Sequence, residues 1–260
     1  MTDHLFLKEA EMVALEQAIP HNEFMTEGAR ILVVDDESNI LDVLELYLLR
    51  EGFRVIRAAD GQAALQLYTA ELPDLVILDL MLPRVEGLKV LQHIRQQTAL
   101  VPVILLTAKG QEDDKLAGFA GGADDYVTKP FSPRELVARV KVALRRSQET
   151  QKGNGRSASK DEVITLEGLY VNRTARRVEL KGVAVELTAK EFDLLWFLAN
   201  NPGQVFSREQ LLDKVWDYSF FGEMSTVTVH IRRLREKVEV DPMRPRHVKT
   251  VWGVGYKFEP

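Results

Sequence analysis

The chain has 260 residues, 45% of them apolar and 28% charged, a formal net charge of −5 and no cysteine. That length supports two domains with cores of their own, and the missing cysteine excludes disulfides and thiolate metal sites while agreeing with a reducing compartment. No apolar run approaches the ~18 residues of a membrane span, and the N-terminus lacks a basic region followed by an apolar core, so no membrane contact, no signal peptide and a cytoplasmic location are expected.

The acidic total argues against adhesion of the whole molecule to nucleic acid, but the charge is uneven. Between His230 and Lys257 stand Arg232, Arg233, Arg235, Lys237, Arg244, Arg246, Lys249 and Lys257 against only Glu236, Glu239 and Asp241. A local basic footprint near the C-terminus follows.

In chain order, residues 1–28 carry scattered apolar positions broken at Pro20 and form an N-terminal extension with no assigned role; Met25 offers a second start. A βα rhythm then sets in. Ile31–Val34 reads as a strand, Glu37–Arg50 as a helix stopped by Gly52, and Phe53–Arg57 as a strand. Asp60-Gly61 opens a helix to about Ala70. Leu75–Asp79, an apolar run ending in a carboxylate, fits a strand buried on both faces. Gly87–Gln97 is the next helix, Val103–Leu106 a strand, Glu112–Ala120 a helix ended by Gly121 and Gly122, and Asp125–Thr128 the last strand. Ser132-Pro-Arg-Glu135 has the pattern of a capping box opening a helix to about Arg146. Five strands alternating with five helices predict an α/β fold, a doubly wound five-stranded parallel sheet, over residues 29–146.

Residues 147–160 are rich in Ser, Gln, Gly and Lys and read as a flexible linker. From 161 to 260 the pattern changes. Val163–Leu166, Leu169–Val171, Arg177–Leu180 and Val183–Leu187 lie too close together for crossover helices and predict a small antiparallel sheet. Thr188-Ala-Lys-Glu191 and Ser207-Arg-Glu-Gln210 are capping boxes that open two helices, the second running through Trp216. A third helix spans Ser225 to about Val240, and His247–Phe258 is a hairpin with Gly253 and Gly255. Three helices closed by a hairpin outline an α+β winged helix-turn-helix.

The strand ends of the first domain carry Asp35, Asp36, Asp79, Thr107 and Lys129. Open α/β sheets bind ligands at the carboxyl ends of their strands. Three carboxylates held together are costly without a divalent cation, and an all-oxygen set favours Mg²⁺ or Mn²⁺ over zinc. An aspartate beside such an ion either ligates a catalytic metal or accepts a phosphoryl group. Lys129 and Thr107, able to neutralise and hydrogen-bond phosphoryl oxygens, favour the second.

The motifs Val33-Val-Asp-Asp-Glu37, Asp79-Leu-Met-Leu-Pro83, Leu106-Thr-Ala108 and Gly122-Ala-Asp-Asp-Tyr-Val-Thr-Lys-Pro-Phe131 resemble those of the receiver domain of two-component response regulators. The whole chain is similar to the OmpR/PhoB type over roughly residues 30–146 and 161–258. The resemblance implies that Asp79 is the phospho-acceptor, supplied by a sensor histidine kinase. Asp35, Asp36, Asp79 and the backbone carbonyl of Met81 would hold the metal, Thr107 and Lys129 would contact the phosphoryl group, and Tyr126 would swing inward with Thr107. It further implies a homodimer on phosphorylation, built on the fourth helix, fifth strand and fifth helix, with Lys115 pairing with Glu135 and Asp125 with Arg139. Double-stranded DNA, in direct-repeat half-sites, and RNA polymerase complete the implied partners.

In the helix from Ser225, Val227, Ile231, Leu234 and Val238 have the spacing of a buried stripe. Ser225, Val229, Arg232, Arg233 and Glu236 fall opposite, with His230 and Lys237 on a flank. A basic outer face with one valine suits a major groove, where arginine meets phosphate or guanine and valine a thymine methyl. Arg244, Arg246, Lys249 and Lys257 belong to or adjoin the hairpin, the wing of the resemblance, and are placed for the DNA backbone; Trp252 and Tyr256 are expected to pack. The function expected is that of a phosphorylation-activated, sequence-specific transcriptional regulator and not an enzyme. A Mg²⁺-dependent phosphotransferase would need a substrate pocket and a further base; a module that docks protein instead of DNA would not need the basic helix.

Overall fold

The computed structural model describes residues 28–108, 121–152, 163–166, 168–217 and 224–260. The N-terminal extension, the helix expected at 112–120 with Lys115, and most of the linker lie outside them.

The first domain is a five-stranded parallel sheet in the order β2-β1-β3-β4-β5. Its strands are β1 (Arg30–Val34), β2 (Arg54–Ala58), β3 (Leu75–Asp79), β4 (Val103–Ala108) and β5 (Asp125–Lys129). The helices α1 (Ser38–Arg50), α2 (Gly61–Glu71), α3 (Gly87–Gln97) and α4 (Pro133–Lys152) flank it. Alternate strand residues supply two cores. Ile31, Val33, Leu75, Ile77 and Leu106 meet α1 and α4 on one face, while Leu32, Val34, Val76, Leu78 and Leu105 meet α2 and α3 on the other. Every residue of β3 is buried, which is why its sequence is an unbroken apolar run and not an alternation. The chain steps from β1 outward to β2 and then back across β1 to β3, so the strand order reverses beside β1 and opens a crevice at its carboxyl end. The helix α4 continues to Lys152, six residues past the expected end at Arg146 and into the segment whose composition reads as linker.

The second domain opens on the antiparallel sheet β6-β7-β8-β9: β6 (Val163–Leu166), β7 (Leu169–Asn172), β8 (Arg177–Leu180) and β9 (Val183–Val185). The helix α5 (Ala189–Ala199) starts at Thr188 in a complete capping box, whose buried Glu191 also serves elsewhere. Ser207 caps α6 (Arg208–Leu211) in the same way, and the helix then widens into a π-helical turn over Leu212–Trp216, ended by Asp217 in a left-handed conformation. The helix α7 (Met224–Val238) packs Val227, Ile231, Leu234 and Val238 into a core shared with Phe192, Leu195 and Trp216.

A third sheet, β10-β12-β11, closes the domain. The hairpin strands β11 (Val248–Val251) and β12 (Gly255–Phe258) are joined by β10 (Phe206–Ser207), which pairs with Tyr256 and Gly255. The two hairpin glycines therefore do different work. Gly253 has φ +77°, a turn conformation that side chains disfavour. Gly255 lets β10 approach: a Cβ there would lie 1.9 Å from the Phe206 carbonyl oxygen.

Candidate functional site

The crevice beside β1 and β3 collects the residues singled out in the first domain. Asp35 and Asp36 follow β1, Asp79 ends β3, Thr107 lies in β4 and Lys129 ends β5. Carboxylate oxygens of Asp35, Asp36 and Asp79 all lie within 4.8 Å of one another. Lys129 Nζ is 2.6 Å from Asp79 Oδ2, 2.8 Å from Asp35 Oδ2 and 3.3 Å from Glu37 Oε1. Backbone amides fix the carboxylates: Glu37 N–H donates to Asp35 Oδ1 at 3.0 Å and Met81 N–H to Asp79 Oδ1 at 3.1 Å. Gly87, at the start of α3, holds the acidic loop down, since a Cβ there would lie 2.1 Å from the Asp79 carbonyl oxygen.

Burial raises the pKa of Asp35 despite the opposing hydrogen bond from Lys129. Burial would lower that of Lys129, but its hydrogen bonds to Asp35 and Asp79 prevail and raise it, so the ammonium persists throughout the physiological range. The cluster still holds more carboxylates than ammonium groups, and its donor atoms are all oxygen, so the residues fit a divalent cation such as Mg²⁺. Among the described residues the buried Thr107 hydroxyl has no hydrogen-bond partner, an arrangement that suits an arriving oxyanion. Tyr126 is buried and faces away from this pocket's groups: its hydroxyl lies 3.1 Å from Ser225 Oγ of the second domain.

In the second domain the outward face of α7 is split. Thr228, Arg232 and Glu236 are exposed, with Arg232 Nε donating to Glu236 at 3.1 Å. Ser225, Val229 and Arg233 instead turn toward the first domain, where Val229 packs against the α2–α3 core. Three sequence expectations need correction here. Arg233 is buried at 7% exposure and pairs with Glu191 at 2.7 Å, so its charge is spent inside the protein. Lys237 pairs with the other Glu191 oxygen, also at 2.7 Å. His230 is fully buried, edge-on to Trp216, with Nδ1 2.9 Å from the Thr226 carbonyl oxygen, so it offers nothing to a groove. Glu191 is the cause of the first two: burial alone would raise its pKa, but Arg233 and Lys237 prevail and hold it below the ordinary range.

On the wing, Arg244 and Arg246 are exposed, and Lys249 and Lys257 face Glu259 at 4.0 and 2.6 Å. Trp252, expected to pack, is 90% exposed at the hairpin tip, while Tyr256 is buried as expected. Sequence reasoning also passed over Arg208 and Arg235. Arg208 Nε donates to Thr228 Oγ1 at 3.2 Å, and Arg235 ties α7 to the wing through the Val248 carbonyl at 2.9 Å and Thr250 Oγ1 at 2.7 Å. In the first domain, Asp125 and Arg139 meet at 2.8 Å and Glu135 and Arg139 at 2.8 Å, all within one chain. Among the described residues no helix is long and apolar enough to cross a membrane.

Comparison with known proteins agrees with this geometry. Residues 31–141 match the family described as "Response regulator receiver domain", and residues 182–258 match "Transcriptional regulatory protein, C terminal". The transcriptional regulatory protein ResD of Bacillus subtilis is 46% identical over 235 residues, covering 90% of this chain and 97% of ResD. The transcriptional regulatory protein SrrA of Staphylococcus aureus is 46% identical over 230 residues, covering 88% and 95%. A solved structure of a RitR mutant is 29% identical with a TM-score of 0.69, over 89% of this chain and 99% of that one. Likeness at this level through both domains makes the chain a regulatory protein and not an enzyme: it belongs to the OmpR/PhoB-type response regulators, the two-component transcriptional regulators whose DNA binding phosphorylation controls.

Proposed function

We propose that Asp79 is the residue that receives the phosphoryl group, from a phosphohistidine of a cognate sensor kinase in the cytoplasm. One observation carries this reading: the Lys129 ammonium sits against Asp79 and Asp35, and on the neighbouring strand the buried Thr107 hydroxyl has no partner among the described residues. An Asp79 carboxylate oxygen would attack phosphorus as the donor's P–N bond breaks. Lys129 would move its charge from the free carboxylate to a phosphoryl oxygen, and Thr107 would donate a hydrogen bond to another. Asp35, Asp36, Asp79 and the Met81 carbonyl would hold Mg²⁺, with Mn²⁺ able to substitute; the ion supplies charge neutralisation for the three carboxylates and the incoming phosphoryl.

The DNA-binding part follows from charge and exposure. Arg232 of α7, exposed and paired only with Glu236 on its own helix, would reach a base or phosphate, with Val229 joining it only once the first domain moves off. Arg244, Arg246, Lys249 and Lys257 would touch backbone phosphates. Phosphorylation would pair two receivers (residues 29–146), and the linker at 147–160 would let the winged-helix domains (161–260) occupy direct-repeat half-sites and meet RNA polymerase.

Incubation with acetyl phosphate and Mg²⁺, followed by intact mass measurement, tests the acceptor. Wild type gains one phosphoryl group, while Asp79→Asn, or wild type in excess chelator, gains none. Equal labelling of Asp79→Asn would remove Asp79 from the account.

A further inference from the structure

We propose that Trp252, at the tip of the hairpin β11–β12, enters the duplex minor groove as an apolar wedge and selects an easily unstacked base step there. The inference deepens the DNA-binding reading above and rests on it, adding a base preference that lysines on phosphates do not supply.

The tip is built without charge. Val251, Trp252, Gly253 and Val254 make the turn, closed by the Val254 N–H on the Val251 carbonyl oxygen at 3.0 Å. Gly253 takes a φ of +77°, so the chain reverses directly behind the indole. Trp252 is 90% exposed and Val254 53%, whereas Trp216 is fully buried and Trp196 half-buried. Lys249 and Lys257 face each other in register lower on the stem. A tip made only for phosphate would carry such charges at its end; this one presents apolar surface, which gains by leaving water.

The stem is stiff, and α7 fixes its direction. Arg235 of α7 holds the Val248 carbonyl oxygen at 2.9 Å and Thr250 Oγ1 at 2.7 Å. Tyr256, paired with Thr250, has the guanidinium groups of Arg208 and Arg235 at 5.4 and 5.8 Å from its ring centre. On the other side β10 pins β12 at Gly255. Arg208 in turn donates to Thr228 Oγ1, one helical turn before the exposed Arg232. The wing therefore keeps one angle to that face of α7. With the face in a major groove, the stem lysines meet the flanking phosphates, and the tip, about 13 Å beyond Val248, passes them into the next groove.

Indole chemistry decides what the tip does there. The ring is uncharged and has one donor and no acceptor, so it gains little from phosphate and cannot read the paired donors and acceptors of the major groove. The minor groove is ~6 Å wide, too narrow for the hairpin but open to one ring. Burial of an aromatic of about 150–250 Å² offsets the unstacking of a base step, and the duplex bends toward the major groove. Pyrimidine–purine steps unstack most readily. Guanine places its N2 amine where the ring must enter, which favours adenine and thymine at the step. A stem already rigid adds little ordering cost to the contact.

The test uses the full chain after acetyl phosphate treatment and a duplex obtained by binding-site selection. Diaminopurine in place of adenine, one position at a time, keeps the major-groove face and adds an amino group in the minor groove. At one step in each half-site it should weaken wild-type binding severalfold and leave Trp252→Ala unaffected. Dyes at the duplex ends should report a bend with saturating wild type and with Trp252→Phe, which keeps a ring without the indole N–H, and a smaller bend with Trp252→Ala. An equal bend in Trp252→Ala, loss of the bend in Trp252→Phe, or a scan to which wild type and Trp252→Ala respond alike at every position overturns the wedge and leaves DNA binding in place. Failure of wild type to bind any selected duplex would instead overturn the DNA reading, and the wedge with it.

Discussion

Lys129 and His230 show opposite uses of a buried nitrogen. The Lys129 ammonium is held by Asp35 and Asp79, and those hydrogen bonds keep it charged against burial. Lys129→Ala should therefore still take up phosphoryl at Asp79, because the nucleophile and the metal carboxylates remain. It should lose the gain in DNA affinity that phosphorylation brings; mass measurement and duplex titration on one sample separate the two effects. At His230, burial, with Arg233 adding to it, prevails over the Thr226 carbonyl, Glu191 and Asp124 and lowers the pKa to about 4. A base with a lowered folded pKa binds its proton more readily when unfolded, so stability falls as pH drops below the unfolded value of ~6.5 and the loss continues to the folded value. From pH 7 to pH 5 this one ring should remove about 2 kcal/mol. His230→Phe should show a shallower fall between those pH values in urea unfolding, with the wild-type slope in both proteins ruling the ring out.

Along α7, the sequence period located the inner stripe correctly, because Val227, Ile231, Leu234 and Val238 follow the geometry of any helix on a core. It did not divide the remaining surface, since a helix buried on two sides leaves the same local pattern as one buried on a single side. Ser225, Val229 and Arg233 became interdomain residues through a partner surface 99 to 110 residues away in sequence, which no local window contains. The receiver pocket was legible for the converse reason: each of its groups follows an apolar run, and a parallel sheet brings all such ends to one edge. The fate of Arg233 and Lys237 was hidden in a capping box. Glu191 was read as a helix cap, and it is one, but its burial also demanded two cations. The short strand β10 was missed because two residues carry no alternation at all. Trp252 was assigned to packing by residue type alone, and the turn at Gly253 puts it in water. A bare indole at the tip of a basic hairpin has duplex sugar or a groove wall as its natural contact. Trp252→Ala should leave unfolding stability within about 0.5 kcal/mol yet weaken duplex binding, whereas Lys249→Ala should weaken selected and scrambled duplexes alike and lower the salt slope by roughly one unit. Arg232→Ala should cost ~1–3 kcal/mol on the selected duplex alone if it meets a guanine. A salt series on both duplexes distinguishes the three.

At the scale of the whole molecule, one ion pair expected across a dimer, Asp125 with Arg139, is found closed within one chain; Lys115, the expected partner of Glu135, lies outside the described residues. Arg139 is 5% exposed at its side chain, Asp125 is 6% exposed, and the two meet at 2.8 Å, with Glu135 on the same guanidinium. Lys141, next along the same helix face, pairs with Glu51 of the same receiver. A dimer through this surface would thus exchange partners it already has, and an exchange of equals adds little affinity. The pair would favour the dimer only if switching frees it, when Tyr126 on the same strand turns and α7 withdraws. Removing Arg139 alone is a poor test, because a buried Asp125 left without its cation costs ~3–5 kcal/mol of stability whatever its role between chains. The double variant Asp125→Ala with Arg139→Ala removes both charges and should recover most of that loss in urea unfolding. Sedimentation of the phosphorylated proteins then separates structure from assembly. Dimerisation weakened in the double variant, despite recovered stability, assigns the pair to the interface between chains. Wild-type dimerisation in that variant would confine Asp125 and Arg139 to holding β5 against α4, and the dimer would need another surface.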